Sequence, residues 1–371
     1  MKKKPSTKPV TVGLIGCGNI SAAYLRAAPQ FPELQLVACA DLDLPRAEAR
    51  AREFGLRPMS VEALLEDKAI EVVLNLTVPQ AHVPVGLAAI AHGKHVYGEK
   101  PLATSTKEAR RLLAAAAKKR LLVGSAPDTF LGGAHQTARR LIDEGAIGKP
   151  LSGTAFMMNH GHEHWHPDPA FYYAPGGGPM FDMGPYYLTN LVNLLGPVAE
   201  VSGVAIAGFT ERQVLSQPRK GEIIKVRTPT HVTGLLTFVS GTVISITTSF
   251  DVWVHRQGNM EIYGSEGSLV VPDPNRFGGT VSLARGRDPW TDVPLSHGFA
   301  DGNLRIVGLA DFARAIRARR PHRCNGEVAF HVLEVMEAFQ ESGKARRAVK
   351  INSRCERPAA LPRHALLGEL N

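Results

Sequence analysis

The chain has 371 residues, 44% of them hydrophobic and 21% charged, with a formal net charge of +9. That length exceeds what one hydrophobic core usually supports, so two domains are expected, and no apolar run approaches the ~18 residues that a membrane span requires. The cations are spread along the chain, with local clusters at 118–120, 317–320 and 344–347 that suit helix ends or a tail; neither a nucleic-acid nor a membrane partner is expected.

The basic start, Met1-Lys2-Lys3-Lys4, is followed by no apolar segment and reads as a solvated tail rather than a secretory signal. Cys17, Cys39, Cys324 and Cys355 are scattered and contain no C-x-x-C pair. Thiols in a reducing cytoplasm fit that spacing better than a disulfide framework or a zinc knuckle, and a cytoplasmic protein is expected.

From residue 10 to about 125, short apolar runs alternate with amphipathic ones. Strands are expected at 10–15, 34–40, 72–76, 95–98 and 121–124, and helices at 20–28, 45–54, 60–66, 80–92 and 105–118. This spacing describes βαβ units and a parallel sheet, an α/β domain covered by helices on both faces. A connecting helix follows at 129–144. Strands are then expected at 149–160, 198–208, 222–228, 231–239, 242–250, 256–263 and 266–271, interrupted by a helix at 182–195 and closed by helices at 303–319 and 327–342. That series makes an α+β second domain. The expected limits are 8–128 and 129–345, with a tail over 346–371 that packs back on the first domain.

Gly16-Cys17-Gly18-Asn19-Ile20-Ser21 joins the first strand to the first helix. Gly16 permits a tight turn, and Gly18 lets a dinucleotide pyrophosphate approach backbone N–H groups at Asn19 and Ile20. Ser21 stands small where a third glycine is usual. Asp41, about 20 residues on, would bond the ribose hydroxyls and repel a 2′-phosphate, favouring NAD over NADP; Asp43 is the lesser candidate. Thr77, Pro79 and His82 follow the third expected strand and would line the nicotinamide half of the cleft, although Pro79 also suits a helix start. Glu99-Lys100-Pro101 ends the 95–98 strand, at the sheet edge where ligands gather.

His160, His162, His164 and His166 alternate and would share a face of an extended strand. Gly161, Pro167 and Pro169 favour a loop instead, and no metal site is expected.

These motifs, with Gly93 to Pro101, Gly145-Ala146-Ile147-Gly148 and Gly176 to Gly184, resemble the glucose–fructose oxidoreductase/inositol dehydrogenase/MocA (Gfo/Idh/MocA) family over roughly residues 8–345. The resemblance implies a Rossmann domain followed by a large open, mostly antiparallel sheet whose faces build homodimers or homotetramers. It implies hydride exchange between NAD(P) and sugars, cyclitols or their derivatives. Lys100 would be the catalytic lysine beside the nicotinamide, with a cis bond before Pro101, and Asp182 the substrate-side carboxylate. Capping of the 182–195 helix is the alternative role for Asp182. Tyr186 occupies the position of the usual histidine, and Thr189 that of a second aspartate. A lysine near a cationic ring has its ammonium form disfavoured, which suits acid–base work. Tyr186, one turn after Asp182, is the leading substitute for the missing histidine, with His166 the other candidate. His164, Trp165, His166 and Tyr173 would wall the sugar pocket. Two other outcomes stay open: redox-neutral elimination or hydrolysis through a transient keto-sugar with NAD retained, and a non-enzymatic dinucleotide sensor.

Overall fold

The computed structural model describes residues 8–362 and Leu370; residues 1–4, the basic start, lie outside them. Compactness divides the chain into two units, one of residues 1–136, 296–330 and 358–371, the other of residues 137–295 and 331–357.

The first unit contains β1 (Val10–Ile15), α1 (Asn19–Ala27), β2 (Leu34–Ala40), α2 (Leu44–Phe54), β3 (Arg57–Met59), α3 (Val61–Glu66), β4 (Val72–Asn75), α4 (Pro79–Ala91), β5 (His95–Gly98), α5 (Thr106–Lys118) and β6 (Val123–Ser125). The six strands pair in the order β3-β2-β1-β4-β5-β6, every pair parallel. Val12, Leu14, Val72, Val73 and Leu74 are fully buried, as strands covered on both faces require. Side-chain caps fix three helix starts: Asp43 accepts from Arg46 N, Ser60 from Ala63 N and Ser105 from Glu108 N. Strand order reverses between β1 and β4. Their carboxyl ends therefore open the crevice in which doubly wound sheets bind ligands, and Gly16 and Thr77 sit there.

Helix α6 (Gly133–Asp143) carries the chain into the second unit, where β7 (Pro150–Met158) leads through a loop to α7 (Pro179–Asp182) and α8 (Gly184–Leu195). There follow β8 (Val198–Ile206), β9 (Glu211–Gln213), β10 (Ile223–Lys225), β11 (His231–Phe238), β12 (Val243–Ser249), β13 (Met260–Gly264), β14 (Gly267–Val271), β15 (Val281–Arg285) and β16 (Thr291–Val293). The chain then contributes α9 (Val307–Ala318) to the first unit and passes through α10 (Gly326–Ala345) to β17 (Val349–Lys350). Nine strands form one sheet in the order β16-β15-β14-β13-β7-β12-β11-β8-β17, antiparallel except for the β7–β12 pair. Every residue of α8 is buried. The α/β Rossmann domain and the large, mostly antiparallel sheet expected from sequence are thus both present.

Compactness places residues 296–330 with the first unit, a return of the chain that a linear division at 128/129 does not express. Buried Asp128 is one reason: its Oδ2 accepts from Ile306 N at 2.9 Å and Gly308 N at 3.0 Å, securing the start of α9. Asp311, wholly buried in α9, holds Arg320 and Arg323, while Arg323 also donates to the carbonyls of Ala359 and Ala360. The helix expected from 303 starts at Val307 because Ile306 lies at φ 123°, outside helical space. The helix expected at 182–195 is two helices, with Asp182 ending the first. Among the described residues, no helix is long and apolar enough to cross a membrane.

Candidate active site

The glycine turn of the first unit is built from the ends of β1, β2 and β4. Gly16 has φ 101°, and a Cβ there would lie 2.6 Å from the Leu76 carbonyl carbon, so glycine is required. Its N–H donates to Ala40 O at 2.9 Å. Asp41 holds the next residue: Cys17 N donates to Oδ2 at 2.8 Å, and Asp43 N to Oδ1 at 3.0 Å. Gly18 is the N-cap of α1, supplies no side-chain cap, and a Cβ on it would meet nothing within 4 Å. The first amides of α1, from Asn19 and Ile20, thus have no side-chain cap and no acidic residue in the first turn, a setting that favours a phosphate. Ser21 is fully buried, its Oγ donating to Gly18 O at 2.6 Å. An open glycine, uncapped helix amides and a carboxylate at the β2 end fit a dinucleotide.

Sequence reasoning missed Arg50. Its Nη2 donates to Gly18 O at 3.4 Å, and its Nε is buried without a partner. Position on α2 alone gives no hint that this side chain folds under the turn.

After β4, Asn75 Oδ1 accepts from both N and Oγ1 of Thr77, and Pro79 is the first residue of α4. His82 differs from expectation. It is buried, with Nδ1 2.7 Å from Pro101 O and Nε2 3.0 Å from Thr77 O. Burial drives its pKa down, against the pull of those two carbonyls. The ring ties the turn after β4 to the turn after β5 instead of facing the cleft.

Glu99 and Lys100 follow β5. Glu99 is 9% exposed, accepting from Tyr24 Oη at 2.7 Å and from Lys100 N at 3.0 Å. The carboxylate thus fixes the backbone of the lysine beside it. The Lys100–Pro101 bond is cis.

In the second unit, the histidine stretch is a loop after β7. His162 is buried, and its Nε2 lies 3.1 Å from Asp182 Oδ2. Its ring packs on Tyr172 at 4.2 Å and Phe250 at 4.7 Å between centroids. No residue type or spacing marked His162 apart from its three alternating neighbours; its partner lies 20 positions away and is joined to it only by folding. Asp182 ends α7 and does not cap α8, so it and Tyr186 are not successive turns of one helix. Met183 and the Gly184-Pro185 step separate them. Tyr186 is buried.

His164 is exposed and Trp165 is 55% exposed. His166 is half-buried, which lowers its pKa, and Asp168 N donates to its Nδ1 at 3.0 Å. Tyr173 departs from a pocket-wall role: it is fully buried, with the Arg212 guanidinium 5.7 Å from its ring, and desolvation raises its phenol pKa. Arg212 is buried too, paired with Asp251 Oδ1 and with Glu163 Oε1 at 3.4 Å, and its Nη1 lies 3.2 Å from His160 Nε2. This ionic knot ties the loop to the strands beside it; among the described residues no group of three or more His, Cys, Asp and Glu could hold a metal ion.

Comparison with known proteins agrees with this layout. Residues 10–126 match the profile of an oxidoreductase family with an NAD-binding Rossmann fold, and residues 135–270 match the GFO/IDH/MocA C-terminal domain. The 1,5-anhydro-D-fructose reductase of Ensifer adhaerens is 28% identical over 350 residues, 92% of this chain and 98% of that protein. A dTDP-3,4-didehydro-2,6-dideoxy-alpha-D-glucose 3-reductase of Saccharopolyspora spinosa is 30% identical over 71% of this chain and 75% of its own. The solved NAD binding oxidoreductase from Klebsiella pneumoniae superposes with a TM-score of 0.82 at 25% identity, covering 94% of this chain and 100% of that one. The chain is an oxidoreductase and belongs to the Gfo/Idh/MocA family.

Proposed function

We propose that the protein moves a hydride between a nicotinamide and a ring hydroxyl or ketone of a sugar, glycoside or cyclitol, using NAD in preference to NADP. The observation that carries this reading is the position of Lys100. It leaves β5 at the carboxyl edge of the sheet whose β1–α1 turn is open for a pyrophosphate, and Glu99 fixes its backbone. Both curated relatives named above are reductases of keto-sugars by their names, which supports the substrate class.

When bound, NAD supplies the hydride acceptor. The chain's own groups do the rest. Amides of Asn19 and Ile20 would hold the pyrophosphate. Asp41, whose carboxylate shapes the turn through Cys17 N, would accept ribose hydroxyls and repel a 2′-phosphate. Lys100 would hold the oxygen of the reacting hydroxyl beside the nicotinamide, with Asp182 on the substrate side and Tyr186 as a further hydrogen-bonding group. Exposed Trp165 and His164 would pack on and bond to the sugar ring. Subunit contacts are assigned to the nine-stranded sheet, where exposed Val204 and Ile206 of β8 share a face with exposed Leu235 of β11; sedimentation equilibrium measures the resulting assembly.

A panel of sugars, cyclitols and glycosides with NAD or NADP, followed by the absorbance of the reduced cofactor, tests the reading. NADH equimolar with keto-sugar is expected. A new sugar product without NADH would establish the redox-neutral outcome instead, and no reaction with any of them would count against both.

A further inference from the structure

We propose that His162, held by Asp182, is the base that takes the hydroxyl proton in the oxidation direction; this rests on the oxidoreductase reading above. The inference comes from which nitrogen of each loop histidine carries a lone pair. A carboxylate can only accept, so Asp182 Oδ2 at 3.1 Å places the imidazole proton of His162 on Nε2. Nδ1 is then the basic nitrogen, and among the described residues no group donates to it.

The neighbouring imidazoles are already committed. Arginine has no acceptor, so Arg212 Nη1 donates to His160 Nε2, whose Nδ1 proton is buried without a partner. The lone pair of His166 sits on Nδ1 and accepts the Asp168 amide. His164 projects into solvent without a carboxylate to fix its tautomer. His162 alone of the four combines burial, a carboxylate on one nitrogen and a lone pair on the other.

Asp182 is a positioning residue here. It keeps the ring in one tautomer and stabilises the imidazolium that forms, the relation an aspartate has to a base histidine in hydrolase triads. The rings of Tyr172, Phe250 and Trp165 around His162 restrict its rotation. In the step, the substrate O–H bond breaks and its proton passes to Nδ1. The carbinol C–H bond would break as the C=O bond forms, its hydride passing to the NAD that the Asn19 and Ile20 amides would hold. The imidazolium afterwards releases its proton to water. A histidine contributed by the loop after β7 thus fills the role left vacant by Tyr186.

Turnover of His162→Gln, and of His162→Ala with and without added imidazole, is measured on the sugar that the parent oxidises. Loss of a general base predicts kcat lower by about 10²–10⁴-fold, an NADH dissociation constant like the parent's, and partial rescue of His162→Ala by imidazole. Nitrogen NMR of isotope-labelled histidine, with His162→Gln for assignment, is expected to find the resting proton on Nε2 in the parent and a mixed tautomer in Asp182→Asn. Parent-like kcat in His162→Gln, or a resting proton on Nδ1, overturns the proposal. A parent that reduces no NAD with the whole panel overturns the oxidoreductase reading instead, and the tautomer still decides the state of His162.

Discussion

The Cys17 amide donates to Asp41 Oδ2 over 2.8 Å, so one carboxylate at the end of β2 closes the glycine turn from the side. Asp41→Ala removes that acceptor and the negative charge together. NADH should bind about tenfold more weakly, a loss of ~1.4 kcal/mol, while NADPH loses less or gains. Fluorescence titration of both reduced cofactors measures the ratio; an unchanged ratio would show that Asp41 only shapes the turn.

Gly16 and Gly18 should fail in different ways. Alanine at 16 meets the Leu76 backbone at 2.6 Å and must hold φ 101°, and the left-handed backbone alone costs about 1–2 kcal/mol. Gly16→Ala is therefore expected to unfold at lower denaturant. Gly18 has φ −68° and open space around its missing Cβ, so Gly18→Ala should keep its stability and lose NADH affinity by at least about tenfold. Denaturation and titration of the two variants separate these effects, and the reverse pattern would contradict the assigned roles.

The same contrast explains what could be read from sequence. β1, β2 and β5 match their expected limits because each is a short run of strand-forming residues closed by glycine, aspartate or glutamate. β3, with exposed Arg57 and Pro58 at a sheet edge, carries no apolar signal, and β9 and β16 are three-residue strands rich in polar side chains. The glycine turn was legible because local geometry dictates it. The His162–Asp182 pair was not, because a loop and the end of a four-residue helix meet only after folding.

Acid should destabilise the second unit through His331. Val198 N donates to its Nε2 at 2.9 Å, so the native ring needs a lone pair there, and Nδ1 lies 2.8 Å from Ser353 Oγ. Burial pushes its pKa down to about 4, opposed by Glu334 and Ser353. The unfolded chain binds this proton near pH ~6.5 while the native state refuses it, so stability rises with pH between the two values and is lost as pH falls through that window, at up to about 1.4 kcal/mol per pH unit. Denaturation at several pH values should give a shallower acid slope for His331→Gln than for the parent. Equal slopes would remove His331 as a cause. His322, also pushed to about 4 by burial, acts with the same sign in the first unit.

Asp311 should be among the costliest substitutions in the first unit. It is 0% exposed and holds Arg323, whose side chain is 7% exposed, and Arg320 at 28%. Asp311→Ala strands the buried Arg323 charge, a loss of about 3–5 kcal/mol. Arg320→Ala, at the more solvated pair, should cost about 1 kcal/mol or less. Urea denaturation measures both, and similar costs would show that solvent reaches Arg323.

Steady-state turnover of Lys100→Ala, on the sugar that the parent oxidises, tests hydride exchange beside this lysine most directly. The predicted result is kcat lower by about 10²–10⁴-fold, with NADH still binding as it does to the parent. Parent-like turnover by Lys100→Ala would contradict it.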